Sequence, residues 1–550
     1  MTEELWYKNA IIYSLDLETF MDLNGDGVGD FQGLARRLDY LHAMGIDTVW
    51  LAPFQPTPNK DNGYDVKDYY GVDQRHGSSG NFVEFMHQAN KRGIKVIIDL
   101  VVNHTSDEHP WFQDARQGKD AKHHDWYVWS DKKPSDWNKG MVFPGVQEAT
   151  WTYDKKAKAY YFHRFYEFQP DLNMDNPEVR EEINRIIGFW LELGVAGFRV
   201  DAVPFILETP APGPAKPSLK FEYLMQIRRF LQWRRGDAIL LGEANVLPKE
   251  SKEYFGEDGD GIHLMFNFYV NQYMFYALAT SEIEPLKEAL EATRISSSPT
   301  SQWAHFLRNH DELDLGRLTE EQRQKVFARF GPEENMQLYN RGIRRRLSTM
   351  LGNRQQTELA YSLMFSLPGA PVIRYGDEIG MGDDLSLKER NAVRTPMQWS
   401  ADKQAGFSEA DKLIHSVIDK GPYSYHHVNV DTQRRIPDSL LNWMTTLIRL
   451  RQECTEIGWG DWQIIETDKA HVLAMHYHWK GSSLLIFHNF DEKAHEVVLD
   501  LKQKQVHSLV DLMQNEESVA DKKGKHHITL DAYGYRWFRA GDLSHLMQKG

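Results

Sequence analysis

Eight short apolar runs, most of them followed by a loop and an amphipathic helix, constrain this chain more than any other feature. They fall at 10–17, 48–53, 94–102, 197–200, 238–241, 263–267, 303–307 and 371–375. Helical spacing occupies 31–44, 81–92 and 177–193, with Asn176 and Pro177 supplying an N-cap and a first-turn proline. Continuous apolar strands alternating with helices mark a parallel sheet buried on both faces, and eight such units close into a barrel. The expected fold is therefore α/β: a (β/α)8 TIM barrel with an inserted subdomain after strand 3 and a C-terminal antiparallel β-sandwich. The expected divisions are 1–104 (first part of the barrel), 105–170 (inserted subdomain), 171–460 (remainder of the barrel) and 461–550 (C-terminal β domain, with alternating runs at 472–478, 483–489, 495–500, 526–530 and 535–539).

The insertion is rich in aromatic residues, with fifteen in the sixty-six positions 105–170. Such density suits stacking on sugar rings as well as the filling of a thin core. The net charge, 64 − 79 = −15, opposes nucleic acid and anionic membranes and leaves a neutral small molecule as the natural partner. The single cysteine, Cys454, excludes an internal disulfide and cysteine-based metal sites. No signal peptide or membrane-spanning run is visible, so the sequence reads as a cytoplasmic protein. The oligomeric state is open, a homo-oligomer included.

Barrels of this kind carry their chemistry at the C-terminal ends of the strands. Strand three runs Asp99-Leu-Val-Val-Asn103-His104, strand four ends Phe198-Arg199-Val-Asp201, strand five ends Gly242-Glu243, and strand seven ends Arg308-Asn-His310-Asp311. Carboxylates about 5 Å apart serve retaining glycoside cleavage, and that is the spacing of neighbouring strands. Asp201 and Glu243 end neighbouring strands, so one would attack the anomeric carbon and the other would act as general acid/base, and the residue beside Asp201 marks it as the nucleophile. Arg199, two residues before Asp201, shares its face of the strand and would favour its ionised form. Asp311 would stabilise an oxocarbenium-like transition state, and His104 and His310 would bind hydroxyls.

These segments resemble the ordered motifs of the α-amylase family of glycoside hydrolases (family 13), and Gln169-Pro-Asp-Leu-Asn resembles its additional motif near the end of the insertion. The resemblance implies catalytic roles for Asp201, Glu243 and Asp311, and glucose binding by Tyr64, Asp65, His104, Arg199, His310 and Arg394. Asp65, in Asn62-Gly-Tyr-Asp, and Arg394, which opens Arg-Thr-Pro-Met-Gln-Trp399, would together close the pocket around a non-reducing end. Within the family, His109-Pro-Trp-Phe, Asp125-Trp-Tyr-Val-Trp-Ser, Phe306-Leu-Arg-Asn-His-Asp-Glu-Leu, Gly342-Ile-Arg-Arg-Arg-Leu and Tyr375-Gly-Asp-Glu-Ile-Gly-Met-Gly are similar to the trehalose synthases. These interconvert maltose and trehalose, and the alternative activity is that of an exo-acting α-glucosidase. The chain differs from that pattern in its first strand and at Gln55, Phe168 and Arg374, all expected near the pocket mouth.

Asp22-x-Asn24-x-Asp26-Gly27-x-x-Asp30 packs four oxygen-bearing side chains into nine residues. Its twelfth position is Gly33, not Glu, so it is not an EF-hand loop. The resemblance implies a structural calcium (Ca2+) loop here, with Val28 giving a backbone oxygen. It implies a second calcium at Asn103, Asp171 and Glu208 with the backbone oxygens of Phe205 and Ile206. No organic cofactor is expected. The pairs His123-His124 and His526-His527 read as surface residues, and 210–217, with four prolines, as a stiff loop.

Overall fold

The structure is a computed structural model that describes residues 5–213, 218–295, 298–500, 507–514 and 516–540. Eight parallel strands close into a barrel: β1 Ile12–Leu15, β2 Thr48–Leu51, β3 Lys95–Leu100, β4 Gly197–Val200, β5 Ile239–Gly242, β6 Leu264–Phe266, β7 Gln302–Phe306 and β8 Ala370–Arg374. All eight expected strands are present, each within a few residues of its expected bounds. β8 pairs with β1 in the register Val372↔Ile12, which closes the ring.

Period-two alternation sorts the strand side chains. Trp50, Ile97, Ile239, Leu241, Phe266, Ala304, Phe306 and Val372 pack inside the barrel, while Val96, Ile98, Phe198, Val200 and Leu240 face the surrounding helices. The helix Phe31–Met44 starts at Asp30, whose Oδ1 accepts the Gly33 N–H at 2.7 Å, and stops at Gly45 with φ of 99°. The helix Pro177–Glu192 is capped by Asn176, as its sequence implied.

The insertion between β3 and β4 carries its own antiparallel sheet, Trp129–Ser130, Trp151–Asp154 and Ala159–Phe162, around a small core of Val128, Trp151 and Phe162. Isolated bridges His104↔Asp171 and Tyr127↔Leu172 tie its two ends together. His124 and His526 are buried, contrary to the expected surface placement. His124 turns inward to bond the Ala115 carbonyl at 3.0 Å, and strand alternation turns His526 inward and His527 outward.

The C-terminal domain is a six-stranded antiparallel sheet facing a two-stranded one. Val472, Ala474, Leu485, Phe487 and Phe538 pack against Val497, Leu499, Ile528 and Leu530 of the smaller sheet. The opposite face of the larger sheet, with Leu473, Met475, Tyr477 and Trp537, is buried against the barrel layer. Trp537 Nε1 donates to Ser362 Oγ at 2.9 Å across that contact. Three strands not foreseen, Asp461–Ile465, Ser508–Asp511 and Glu517–Val519, complete the larger sheet. Among the described residues, no helix is long and apolar enough to cross a membrane. Residues 214–217 of the expected stiff loop lie outside the described residues.

Candidate active site

At the C-terminal mouth of the barrel a cavity of about 540 Å³ is lined by the catalytic candidates Asp201, Glu243 and Asp311 and by Tyr64, His104 and His310. Strand register explains the convergence. Arg199 lies beside Asp99 of β3, and Val200 beside Gly242 of β5, so Asp201 and Glu243 are the next pair along. A Cβ on Gly242 would come within 2.5 Å of Ile262 Cδ1, so a larger residue beside Glu243 would have to displace that side chain.

One guanidinium organises the acids. Arg199, 1 % exposed, donates from Nη1 to Asp201 Oδ1 at 2.6 Å and Asp99 Oδ1 at 3.0 Å, and its Nη2 lies 2.6 Å from Glu243 Oε2. Trp50 lies 5.3 Å from the same guanidinium. Ala202, in the left-handed region at φ 49°, aims its N–H at Glu243 Oε2 at 3.3 Å. Burial raises Asp201 to about 6 and Glu243 to about 7, against the opposing pull of Arg199. Burial also raises Asp99 to about 6. Burial would raise Asp311 as well, but His310, Arg390, Arg394 and Arg199 together bring it well below the usual carboxylate range. The site thus combines a carboxylate held anionic with a pair of acids poised near neutrality, the condition for separate acid and base roles.

The sugar-binding candidates form a connected wall. Tyr64 OH bridges Asp99 Oδ2 at 3.0 Å and His310 Nε2 at 2.8 Å, and its ring stacks on the imidazole. His104, held neutral by burial with a pKa of about 4, donates from Nε2 to the Tyr64 carbonyl at 3.0 Å. Arg394 donates to the His310 carbonyl at 2.8 Å and to Asp311 Oδ1 at 3.1 Å.

Asp65 departs from its expected place. Its oxygens accept from Thr57 Oγ1 and from the N–H groups of Lys60 and Asp61 at 2.9–3.1 Å, so it shapes the loop and does not meet Arg394. The ion pair at the pocket is Asp61 with Arg390, 2.8 Å apart, and Arg390 also holds Asp311 Oδ1 at 2.8 Å. Gln55 and Arg374 are likewise not at the pocket mouth. Gln55 is buried and accepts the Phe54 N–H at 3.1 Å, and Arg374 forms a buried ion pair with Asp16. Phe168 stacks on Tyr166.

Three segments roof the cavity: Val142, Phe143 and Phe165 of the insertion; Glu312, Asp314, Arg317 and Arg341 after β7; and Arg390 after β8. They are joined at Glu389, whose Oε2 accepts from Tyr166 OH at 2.9 Å and from Tyr339 OH at 2.8 Å. Arg341 donates to the Val142 carbonyl at 3.1 Å. Sequence reading missed Asp61, Glu389 and Arg390, since loop residues carry no period that would place them.

Among the described residues, no three His, Cys, Asp or Glu side chains cluster as a metal site. In the Asp22–Asp30 loop the oxygens rest on the chain itself. Asp22 accepts from Gly25 N and Gly27 N at 2.7 Å and from Ser408 Oγ at 2.5 Å, Asn24 Oδ1 accepts from Asp26 N at 2.9 Å, Asp26 accepts from Val28 N at 2.9 Å, and Asp30 Oδ2 accepts from Leu23 N at 2.9 Å. At the base of the insertion Asp171 accepts the Arg164 N–H at 2.8 Å, the Arg164 guanidinium pairs with Glu208, and the same guanidinium lies 4.8 Å from the Phe205 ring. Burial raises Asp171 to about 7.

Residues 15–333 and 332–460 match the family described as alpha amylase, catalytic domain, and residues 481–539 match a sucrose hydrolase-like C-terminal domain. The chain is similar to a trehalose synthase of Thermus thermophilus, 42 % identical over 98 % of this chain and 56 % of that protein. It thus spans little more than half the length of that relative. A trehalose synthase of Pimelobacter sp. (strain R48) is 39 % identical over 98 % of this chain and 96 % of its own. Among solved structures, a trehalulose synthase variant in complex with Tris superimposes with a TM-score of 0.80 at 25 % identity, covering 97 % of this chain and all of that one.

Proposed function

Because this chain belongs to the α-amylase family of glycoside hydrolases, we propose that it transfers glucosyl groups on short α-glucosides with retention, interconverting maltose and trehalose through a covalent glucosyl-enzyme. The observation that carries this reading is the shared guanidinium: Arg199 holds Asp201 and Glu243 side by side at one end of the pocket.

Asp201 attacks the anomeric carbon of the bound glucose while Glu243 gives its proton to the departing glycosidic oxygen. Asp311, kept anionic by His310, Arg390, Arg394 and Arg199, offsets the positive charge that develops on the sugar ring. In the second half Glu243, now a carboxylate, takes the proton from the 1-hydroxyl of the released glucose. That oxygen attacks the anomeric carbon, the bond to Asp201 breaks, and a 1,1-linked disaccharide results. Attack by water instead would give two glucose molecules.

The roof formed by the insertion and the two loops favours transfer, since it keeps the released glucose at high effective concentration beside the intermediate. The deciding experiment follows products from maltose at early times. Trehalose in excess of glucose supports the transferase, and glucose from the start with no non-reducing disaccharide identifies an α-glucosidase.

A structural role for calcium is part of the same proposal. Asp22, Asn24, Asp26 and Asp30 with the Val28 carbonyl offer a hard oxygen donor set in one turn. Asn103, Asp171 and Glu208, with the Phe205 and Ile206 carbonyls, would hold a second ion if Arg164 released Glu208. Metal analysis of the dialysed protein gives the count, and a fall in Tm on chelation is the expected result.

A further inference from the structure

The two halves of the catalytic cavity differ in chemistry. On the side assigned to the transferred glucose stand Tyr64, His104, His310 and Asp311. Glu243 must reach the departing oxygen to protonate it, so the chain just beyond Glu243 flanks the leaving group. There the cavity is lined by Val246, three residues past Glu243, and by Pro204 and Phe205, three and four past Asp201. The insertion adds Val142, Phe143 and Phe165 from the roof.

These apolar walls are open to the cavity: Val142, Phe165, Phe205 and Val246 each keep part of their surface exposed. The rings of Phe165 and Phe205 meet edge to face, 5.7 Å apart at 80°, and Phe165 continues to Phe143 at 5.8 Å. The Arg164 guanidinium lies 4.8 Å from the Phe205 ring and helps to fix it. The polar side chains of this half are turned on one another. Asn245 donates to Asp314 Oδ2 at 3.3 Å and accepts from Arg317 Nε at 3.3 Å. Arg341 donates from Nε to the same Asp314 oxygen at 3.2 Å and from Nη2 to the Val142 carbonyl at 3.1 Å. Glu312 is left to meet a hydroxyl.

A hexose in this half would set several hydroxyls against carbon, where a hydroxyl without a partner is costly. An aromatic ring would meet faces and edges that favour it. We propose that the leaving-group half takes an aromatic aglycone, so that the enzyme also transfers glucosyl groups from maltose to alcohols with an aromatic body, such as benzyl alcohol. This rests on the glucosyl-transfer reading and names an acceptor class for it. The alcohol oxygen attacks the anomeric carbon of the glucosyl-enzyme, the bond to Asp201 breaks, and Glu243 takes the hydroxyl proton. The product is an α-glucoside of the alcohol, and nothing is oxidised or reduced.

The test incubates the full chain with maltose and either benzyl alcohol or glycerol at equal concentration, and separates early products by chromatography. Benzyl α-glucoside should exceed glyceryl glucoside at least about fivefold. Phe205→Ala should lower the ratio of benzyl glucoside to free glucose at least about fivefold, and Val246→Ser should lower it less, in the same direction. If Phe205→Ala fails to fold, Val246→Ser carries the test. Equal yields from the two alcohols, trehalose formed without benzyl glucoside, or an unchanged ratio in the folded variants would overturn the proposal. Absence of every transfer product, trehalose included, would instead remove the transferase reading. The KM values for hydrolysis of benzyl α-glucoside and maltose then decide: a lower value for benzyl α-glucoside supports the aromatic subsite, and an equal or higher one overturns it.

Discussion

Arg390 reaches Asp61 across 2.8 Å, joining residues 329 positions apart in the chain at the lining of the catalytic cavity. With Asp311 on its other nitrogen, this guanidinium should close the site around a short substrate. Arg390→Ala should lower kcat/KM for maltose by about two orders of magnitude, because a partly buried charged contact is lost and Asp61 is left unpaired. Soluble starch should be a poor substrate of the wild type. A rapid early fall in starch viscosity would contradict that.

Asp201→Asn should abolish turnover while maltose binding, measured by calorimetry, is largely kept, since an amide cannot attack the anomeric carbon. Glu243→Gln should lose about 10²–10⁴-fold with maltose, yet still release a burst of phenol from an activated aryl glucoside, whose leaving group needs little protonation. Losses below about tenfold in both variants would show that other groups perform the cleavage.

Activity requires Asp201 without its proton and Glu243 with one. Burial raises both, Asp201 to about 6 and Glu243 to about 7. The rate should therefore fall as pH drops through the first value and as it rises through the second, giving a narrow bell in kcat/KM. Arg199 lowers both acids, so Arg199→Gln should shift the bell upward in pH as well as weaken it. A profile flat from pH 5 to 9 would exclude the assigned roles.

Asp16 and Arg374 form a buried pair whose second contact is also direct. Burial raises the Asp16 carboxyl, but Arg374 more than offsets it and brings it to about 2. Its folded pKa lies below the unfolded value, so this contribution to stability is complete above the unfolded pKa and is lost as pH falls towards 2. Arg374→Met should destabilise the barrel by about 3–5 kcal/mol, read as a lower midpoint in denaturant unfolding. An unchanged midpoint would mean that Asp16 is satisfied by other groups.

How much of this was legible beforehand follows from periodicity. Asp201, Glu243 and Asp311 stand just beyond apolar strands, and a barrel rule places strand ends together, so three residues spread over more than a hundred positions could be assigned to one site. Asp61 and Asp65 offered no such handle. Both are acids of one irregular loop, and only the folded loop shows that Asp65 turns onto its own backbone while Asp61 faces Arg390. The strands Asp461–Ile465 and Glu517–Val519 were missed because they are partly exposed edges of a sheet, without the apolar run that marks a buried strand.

The partition between transfer and hydrolysis should depend on the roof, and the roof on Glu389. This residue sits at φ 45°, a conformation that costs energy for a side chain other than glycine, and accepts two tyrosine hydroxyls from different segments, Tyr166 of the insertion and Tyr339 of the excursion after β7. Phe143 packs against both tyrosine rings and against the Arg390 guanidinium. None of these groups needs to touch the scissile bond to affect the outcome. They hold three segments over a glucosyl-enzyme whose fate is decided by which hydroxyl is nearer, that of glucose or that of water. Tyr339→Phe removes one hydrogen bond and keeps the ring packing, so it should leave maltose cleavage within about threefold of wild type. Glu389→Ala releases both tyrosines, and should raise the ratio of glucose to trehalose several-fold more than Tyr339→Phe does. Product ratios at early times, from maltose and separately from trehalose, measure this directly. If both variants keep the wild-type ratio while cleavage continues, water is excluded by other contacts, and the Glu389 junction serves only to hold the loops in place.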